Sequence, residues 1–288
     1  MSSTVTDATA VRAEQRAVWD AVAPGWLRWQ PAFERGAAVV TEMLLDLGGV
    51  RPGHAVLDLG SGAGEPASGA ARRVGPHGRV VGVDLSEQMT VIARRRVPDE
   101  YVTFHTGDLA DVELPAGSFD VCLSRWGLMF LPDRRSALAR LAGLLRPGGT
   151  LAAAVWGPPP EVPMISLAFR VIAAELALPA PPPGGPGPFA VTDPEVLRAD
   201  VAAGGFRDVS VHDCTVPFRL DSPAQFAAYS RDVLPPRMRQ AVRDRCGTLD
   251  DPRLWAAVER AAEPYMQDDG TVLLPSRAIC VRAETDRP

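Results

Sequence analysis

"VLDLGSGAGE", residues 56–65, is a short apolar run that stops at a loop carrying Gly60, Gly62 and Gly64. An apolar run bounded by glycine reads as a buried strand entering a tight turn. In an open parallel sheet, ligands bind beyond the carboxyl ends of the strands. Glycine at such a place lets a ligand approach the backbone with no Cβ in the way. A bare Gly-x-Gly fits several nucleotide sites and many ordinary turns, so the neighbouring residues decide. The chain contains no lysine, which excludes a GxxxxGK[ST] phosphate loop. The dinucleotide fingerprint GxGxxG requires glycine where Glu65 stands, and a carboxylate there would repel a pyrophosphate. Asp58, two residues before the first glycine, suits a ligand with a positive group better than one with phosphates. Its alternative is a structural acid bonded to loop amides.

Outward from this loop the chain alternates strand and helix. The segment 65–74 is Ala- and Arg-rich and helix-like. "GRVVGVD" (78–84) reads as a second strand ending at Asp84, where a carboxylate can accept from both hydroxyls of a ribose. Ser86 is the better N-cap for the helix expected over 87–96. "YVTFHTGD" (101–108) is a third strand, and Asp108 at its end can accept from the exocyclic amine of a base or serve as an Asx turn. "SFDVCLSRW" (118–126) and "TLAAAVWG" (150–157) are the fourth and fifth strands. Between them lies a helix capped at Asp133 and ending at the "RPGG" turn, 146–149. This alternation means a parallel sheet with right-handed crossovers. Three acids at successive strand ends describe one ligand: a cationic end, a ribose, an adenine-like ring and no phosphate. S-adenosylmethionine fits that description.

After Gly157 the texture changes. "PPPEVP" and "PAPPPGGPGP" cannot be regular structure. A short amphipathic helix is expected over 164–177 and another from Asp193 to Gly204-Gly205. "RDVSVHDCTV" is a sixth strand and "GTVLLPSRAICVRAE" a last one. Residues 222–263 read as mostly helical, interrupted at Pro235-Pro236 and over 247–252, and the first 45 residues are mainly helical as well. The expected organisation is therefore an α/β chain with a seven-stranded, mostly parallel sheet and a helical lid. Its segments are an N-terminal lid helix region (1–50), a ligand-binding core (51–157), a Pro-rich linker with a cap helix (158–192), core completion (193–221), a helical cap insertion (222–269) and the last strand and tail (270–288).

Composition narrows the function classes. With 288 residues the chain can bury a core without staples. Its net charge of -5 offers no basic field to nucleic acid. No apolar stretch approaches the ~20 residues that span a bilayer, and the amino terminus lacks the apolar core of a signal peptide. The four cysteines fit no metal spacing, so no metal site is expected. A reduced, cytoplasmic protein is the simplest reading.

The sequence resembles the class I S-adenosylmethionine-dependent methyltransferases, and within them the small-molecule enzymes similar to quinone-biosynthesis methyltransferases. "VLDLGSGAG" (56–64), "VVGVDLS" (80–86), "TGDLADVELPAGSFDVCLSRWGLMFLPD" (106–133) and "LLRPGGTLAAAVWG" (144–157) carry the resemblance, over about residues 50–157. It implies a three-layer, Rossmann-like fold with S-adenosyl-L-methionine as cofactor and S-adenosyl-L-homocysteine as product. Gly60, Ser61, Gly62 and Gly64 would line the methionyl and ribose part, and Asp58 would hold the loop and the amino group. Asp84 would take the ribose diol, Leu85 and Met89 would lie against adenine, and Asp108 and Leu109 would bind it. Ser124 and Arg125 would border the methionine end and the acceptor. Trp19 and Trp26 stand where such enzymes carry aromatic lid residues; packing of a helix onto the core explains them equally well.

The implied reaction is an SN2 displacement at a sulfonium methyl, for which the protein supplies proximity and alignment. No general base stands out. His54, His77, His105 and His212 all fall in the core pattern, and Tyr229, Tyr265 and Asp232 are weak candidates. The place after the fourth strand reads "SRWG", unlike the Asn/Asp-Pro-Pro-Tyr motif of amide- and nucleobase-nitrogen methyltransferases, and the absence of asparagine argues against the metal-dependent catechol type. Trp126, Met129, Phe130, Trp156, Met164 and Phe169 together suggest a small, fairly apolar acceptor. The expected function is methyl transfer to an O, N or C nucleophile of a small metabolite, in secondary-metabolite or quinone-type biosynthesis. A cofactor-binding protein or cyclase that does not methylate is the alternative, and an NAD-dependent oxidoreductase ranks last. Partners expected are the acceptor alone, with no nucleic acid and no membrane span; a homodimer stays open.

Overall fold

The computed structural model describes residues 8–179 and 185–286. Residues 1–7 of the expected lid region, 180–184 of the proline run and 287–288 lie outside the described residues. The core alternates β1 (Ala55–Leu59), α2 (Ala67–Val74), β2 (Arg79–Asp84), α3 (Glu87–Arg96), β3 (Val102–Thr106), β4 (Phe119–Arg125), α4 (Arg134–Leu144) and β5 (Leu145–Trp156). It is preceded by α1 (Ala8–Leu47) and followed by α5 (Pro163–Glu175), α6 (Pro194–Ala203), β6 (Arg207–Leu220), α7 (Pro223–Asp232), α8 (Pro236–Cys246), α9 (Pro252–Ala262) and β7 (Val272–Glu284).

The seven strands form one sheet in the order β3-β2-β1-β4-β5-β7-β6. Pairs from β3 through β5 are parallel, and β7 is antiparallel to both its neighbours. All five residues of β1 are buried, as expected for a central parallel strand covered on both faces. The strand order reverses between β1 and β4. A crevice opens at such a switch point, beyond the carboxyl ends of those two strands. That puts the Gly60 loop and the 125–127 segment side by side.

Local chemistry explains the helix starts. Ser86 accepts from the Met89 N–H at 3.1 Å, Asp133 from Ser136, Asp193 from Glu195, Ser222 from Gln225 and Asp251 from Arg253 and Leu254. Such caps satisfy amides that the helix leaves unpaired, each worth about 1 kcal/mol. Residues 146–149 differ from the expected isolated turn. They lie inside β5, where Phe119 pairs with Leu145 while Val121 pairs with Thr150. The glycine pair, with Gly148 at φ +75°, lets the strand absorb the extra residues as an irregularity.

The largest departure from the sequence reading is α1. It is a single helix of 40 residues that runs through Pro24 and Pro31. Each proline deletes a helix hydrogen bond and crowds the preceding turn, at a cost of about 3 kcal/mol in isolation. The two lie seven residues apart on the exposed outer face. The inner face is buried through Val22, Ala23, Phe33, Ala37, Val40, Leu44 and Leu45, which offsets that cost. The C-terminal half of α1 is thus a core helix packed on the sheet, and its N-terminal half reaches over the crevice. Among the described residues no helix is long and apolar enough to cross a membrane.

Candidate cofactor and acceptor site

The Gly60 loop is moored to the neighbouring strand. The N–H groups of Gly60 and Ser61 both donate to the Val83 carbonyl, at 2.8 and 3.1 Å. Gly60 and Gly62 have φ of +70° and +49°, which L side chains rarely adopt. A Cβ on Gly60 would also sit 3.0 Å from Gly127 Cα. Asp84 completes the turn: its Oδ2 accepts from the Gly62 N–H at 2.8 Å and its Oδ1 from the Ser86 N–H at 2.9 Å. Burial raises the Asp84 pKa, opposed by these two hydrogen bonds.

Above the loop lies a cavity of about 310 Å³. Of the residues expected in the site, Gly60, Gly62, Asp84, Leu85, Met89, Asp108, Leu109, Arg125 and Trp26 line it. Asp58, Ser61, Gly64 and Ser124 do not. Asp58 is fully buried beneath the loop, where Oδ2 accepts from the Ala67 N–H at 2.9 Å and Oδ1 has no partner. Burial pushes its pKa up to about 8, against the pull of Arg125. Ser124 donates to the Leu59 carbonyl at 2.9 Å and so stitches β4 to β1. Side chains at the ends of these strands alternate between the crevice and the packed interior, and these fall on the interior side.

The cavity continues into an aromatic end lined by Phe33, Trp126, Trp156, Met129, Phe130 and Phe169. Met164, expected there, is buried off the cavity. Trp126 stacks on Trp156 with centroids 4.1 Å apart and meets the edge of Phe33. Its φ of +60° is a strained conformation for a bulky residue, of order 1–3 kcal/mol, and its indole N–H has no partner among the described residues. Strain of this kind is found where the surroundings over-determine a functional position.

Residues of α1 supply the opposite wall: Arg12, Gln15, Trp19, Val22, Trp26, Gln30 and Phe33, at helical spacings of three and four. Apart from Trp19 and Trp26 the sequence reading missed them. The spacing was present in the sequence, but two prolines interrupt the pattern that would announce a continuous helix. Glu34 was missed as well. It forms a two-pronged pair with Arg125 (2.7 and 2.5 Å), and Arg125 also donates to Thr41 at 2.7 Å. Burial opposes the Arg125 cation, but Glu34 outweighs it and the net pKa is raised.

None of the four histidines lines the cavity; His77, His105 and His212 are exposed. Tyr229 is buried away from it with its pKa pushed up by desolvation, and Asp232 is engaged by Arg28 and Trp29. Among the described residues no group of three or more His, Cys, Asp or Glu could hold a metal. What the cavity offers is hydrogen-bond acceptors at one end, aromatic surface at the other and a neutralised ion pair.

Two outcomes test this electrostatic arrangement. Glu34→Ala strands a buried guanidinium and is expected to lower the urea-derived stability by about 3–5 kcal/mol; adding Arg125→Met should recover most of it. Asp58 is protonated more readily folded (about 8) than at its ordinary value of 3.8. Its contribution is therefore full below about pH 4 and is lost as pH rises toward 8. Asp58→Asn, which can still accept from Ala67, should flatten that decline in unfolding free energy.

A family model for a methyltransferase domain matches residues 57–153. Nocamycin O-methyltransferase of Saccharothrix syringae is 40% identical over 126 residues, covering 43% of this chain and 45% of that protein. A ubiquinone/menaquinone biosynthesis C-methyltransferase of Hydrogenovibrio crunogenus is 34% identical over 111 residues, covering 37% of this chain and 44% of the relative. The match thus spans less than half the length of these curated relatives. The YcgJ protein of Bacillus subtilis shares the fold, with a TM-score of 0.55 at 18% identity over 86% of this chain and 98% of that one. The likeness to a methyltransferase domain thus lies in the core of the chain, residues 57–153, which holds the glycine loop and the strand ends that line the cavity.

Proposed function

We propose that the protein transfers a methyl group from S-adenosyl-L-methionine to an O, N or C nucleophile of a small, fairly apolar metabolite, releasing S-adenosyl-L-homocysteine. The observation that carries this reading is one continuous cavity in which Gly60, Gly62, Asp84 and Asp108 meet the aromatic surface of Phe33, Trp126 and Trp156. The O- and C-methyltransferase names of the two relatives favour oxygen or carbon as the nucleophile and secondary-metabolite or quinone-type chemistry as the setting.

The residues fit a phosphate-free adenosyl ligand. Gly62 leaves open space where a Cβ would stand, and each carboxylate oxygen of Asp84 uses one lone pair on a backbone N–H and keeps another for a hydroxyl donor. Asp108 is placed likewise for an amine donor. Glu65 lines the loop where a pyrophosphate would have to lie, and Arg12 and Arg125, the two arginines lining the cavity, are already paired to acids. When bound, the cofactor supplies an electrophilic methyl on a sulfonium. The chain's own part is to orient, to exclude water with α1 and the aromatic wall, and to hold the acceptor in line. With no histidine at the cavity, the acceptor this site suits is a readily ionised hydroxyl or enol, or a free amine.

Calorimetry with S-adenosyl-L-methionine, S-adenosyl-L-homocysteine and NAD tests the cofactor. The first two should bind and NAD should not, and Asp84→Ala should weaken binding at least about tenfold by removing a charged acceptor. Binding of NAD alone would overturn the assignment. Transfer of labelled methyl to an apolar phenol, enol or amine panel tests the reaction; tight cofactor binding with no transfer would favour the non-methylating reading.

A further inference from the structure

The inner stripe of α1 ends, toward its amino terminus, at Arg12. This residue lines the cavity beside Asp108 and is the nearest cation to it, with Nε 3.2 Å from Oδ2. The side chains are 32% and 13% exposed. The Arg12 Nε–H is buried yet makes no directed hydrogen bond, so the contact is one of charge rather than a two-pronged fork. Asp108 Oδ1 accepts from the Ala110 N–H at 2.7 Å. Each oxygen of Asp108 has one neighbour and keeps a lone pair. The ion pair therefore does not consume the carboxylate, and an amine donor can still reach it.

Arg12 is also held in place. Eight residues on, Asp20 accepts from the Ser86 hydroxyl at 2.5 Å and from the Gln88 N–H at 3.3 Å, pinning α1 to the start of α3 beside Asp84. Leu85, Met89 and Leu109 supply the apolar wall of the same end of the cavity. A guanidinium is planar, weakly hydrated and prone to lie on aromatic faces. At a pocket end bounded by three apolar side chains and an acid, it suits a flat heteroaromatic ring carrying an amino group.

We propose that Arg12 is a cofactor-binding residue: held by Asp108, its guanidinium forms the partly exposed wall of the adenine end, which makes the first turns of α1 part of the cofactor site. This rests on the methyltransferase reading and adds to it a residue outside the 57–153 core. A cation against an aromatic face contributes about 0.5–2 kcal/mol, which corresponds to roughly a 2- to 30-fold change in affinity.

The test is calorimetry on the full chain with two probes, S-adenosyl-L-homocysteine and 5′-methylthioadenosine, the second lacking the amino-acid end. Arg12→Ala and Arg12→Gln, the latter retaining much of the side-chain stem, are expected to weaken both probes by the same factor within that range. Arg16→Ala removes an exposed arginine one turn further along the helix and should bind like the parent. Unchanged or tighter binding by both Arg12 variants overturns the proposal. So does a loss confined to S-adenosyl-L-homocysteine, which would put Arg12 at the methionyl end. Failure of the parent chain to bind S-adenosyl-L-homocysteine would instead sink the underlying cofactor assignment, and this inference with it.

Discussion

The carboxylate of Asp84 ties the glycine loop to the start of α3. It accepts from the Gly62 N–H on one oxygen and the Ser86 N–H on the other. Ser86 in turn caps α3 through Met89 and donates to Asp20 on α1. A single acid at the end of β2 thereby fixes the loop, the adjoining helix and, through one hydroxyl, the cover. Hydrogen bonds to an ionised acceptor are roughly twice as strong as neutral ones. Burial works against that charge, so the loop amides and the acid need one another, and the cavity keeps its shape because neither can leave.

The long α1 helix carries the second constraint. A proline inside a helix is tolerable where it faces solvent and the opposite face is buried, and both prolines meet that condition. The helix is then long enough to act twice. Its C-terminal half packs against the sheet, while its N-terminal half presents Arg12, Trp19, Trp26 and Phe33 to the cavity. Trp29 and Arg28 bind Asp232 at the end of α7, so the two parts of the cover are joined.

At the aromatic end of the cavity, charge and strain sit close together. Arg125 is neutralised by Glu34 and lies with its guanidinium 5.0 Å from the Trp126 ring centre. Trp126 holds a left-handed backbone next to Gly127, where a Cβ would fall 2.7 Å from Ser124 Oγ and 2.8 Å from the Leu59 carbonyl oxygen. The loop and the aromatic wall are therefore packed directly against each other, with no room for a Cβ on Gly60 facing Gly127. This wall draws on α1, β5, α5 and the segment that follows β4.

The sequence by itself determined the alternating core, the glycine loop, the acids at strand ends and most helix starts, because each depends on neighbours within a few residues: apolar runs, turn glycines, capping side chains. The helix over 87–96 with its Ser86 cap and the acids Asp84 and Asp108 at the crevice were legible for that reason. Tertiary structure decided what pairs across long separations. It placed Asp58 and Ser124 in the packed interior rather than on the cavity wall, joined Glu34 to Arg125 across 91 positions, and carried α1 straight through two prolines. No local pattern encodes these, since the burial that offsets a proline or a paired charge comes from residues far away in the chain.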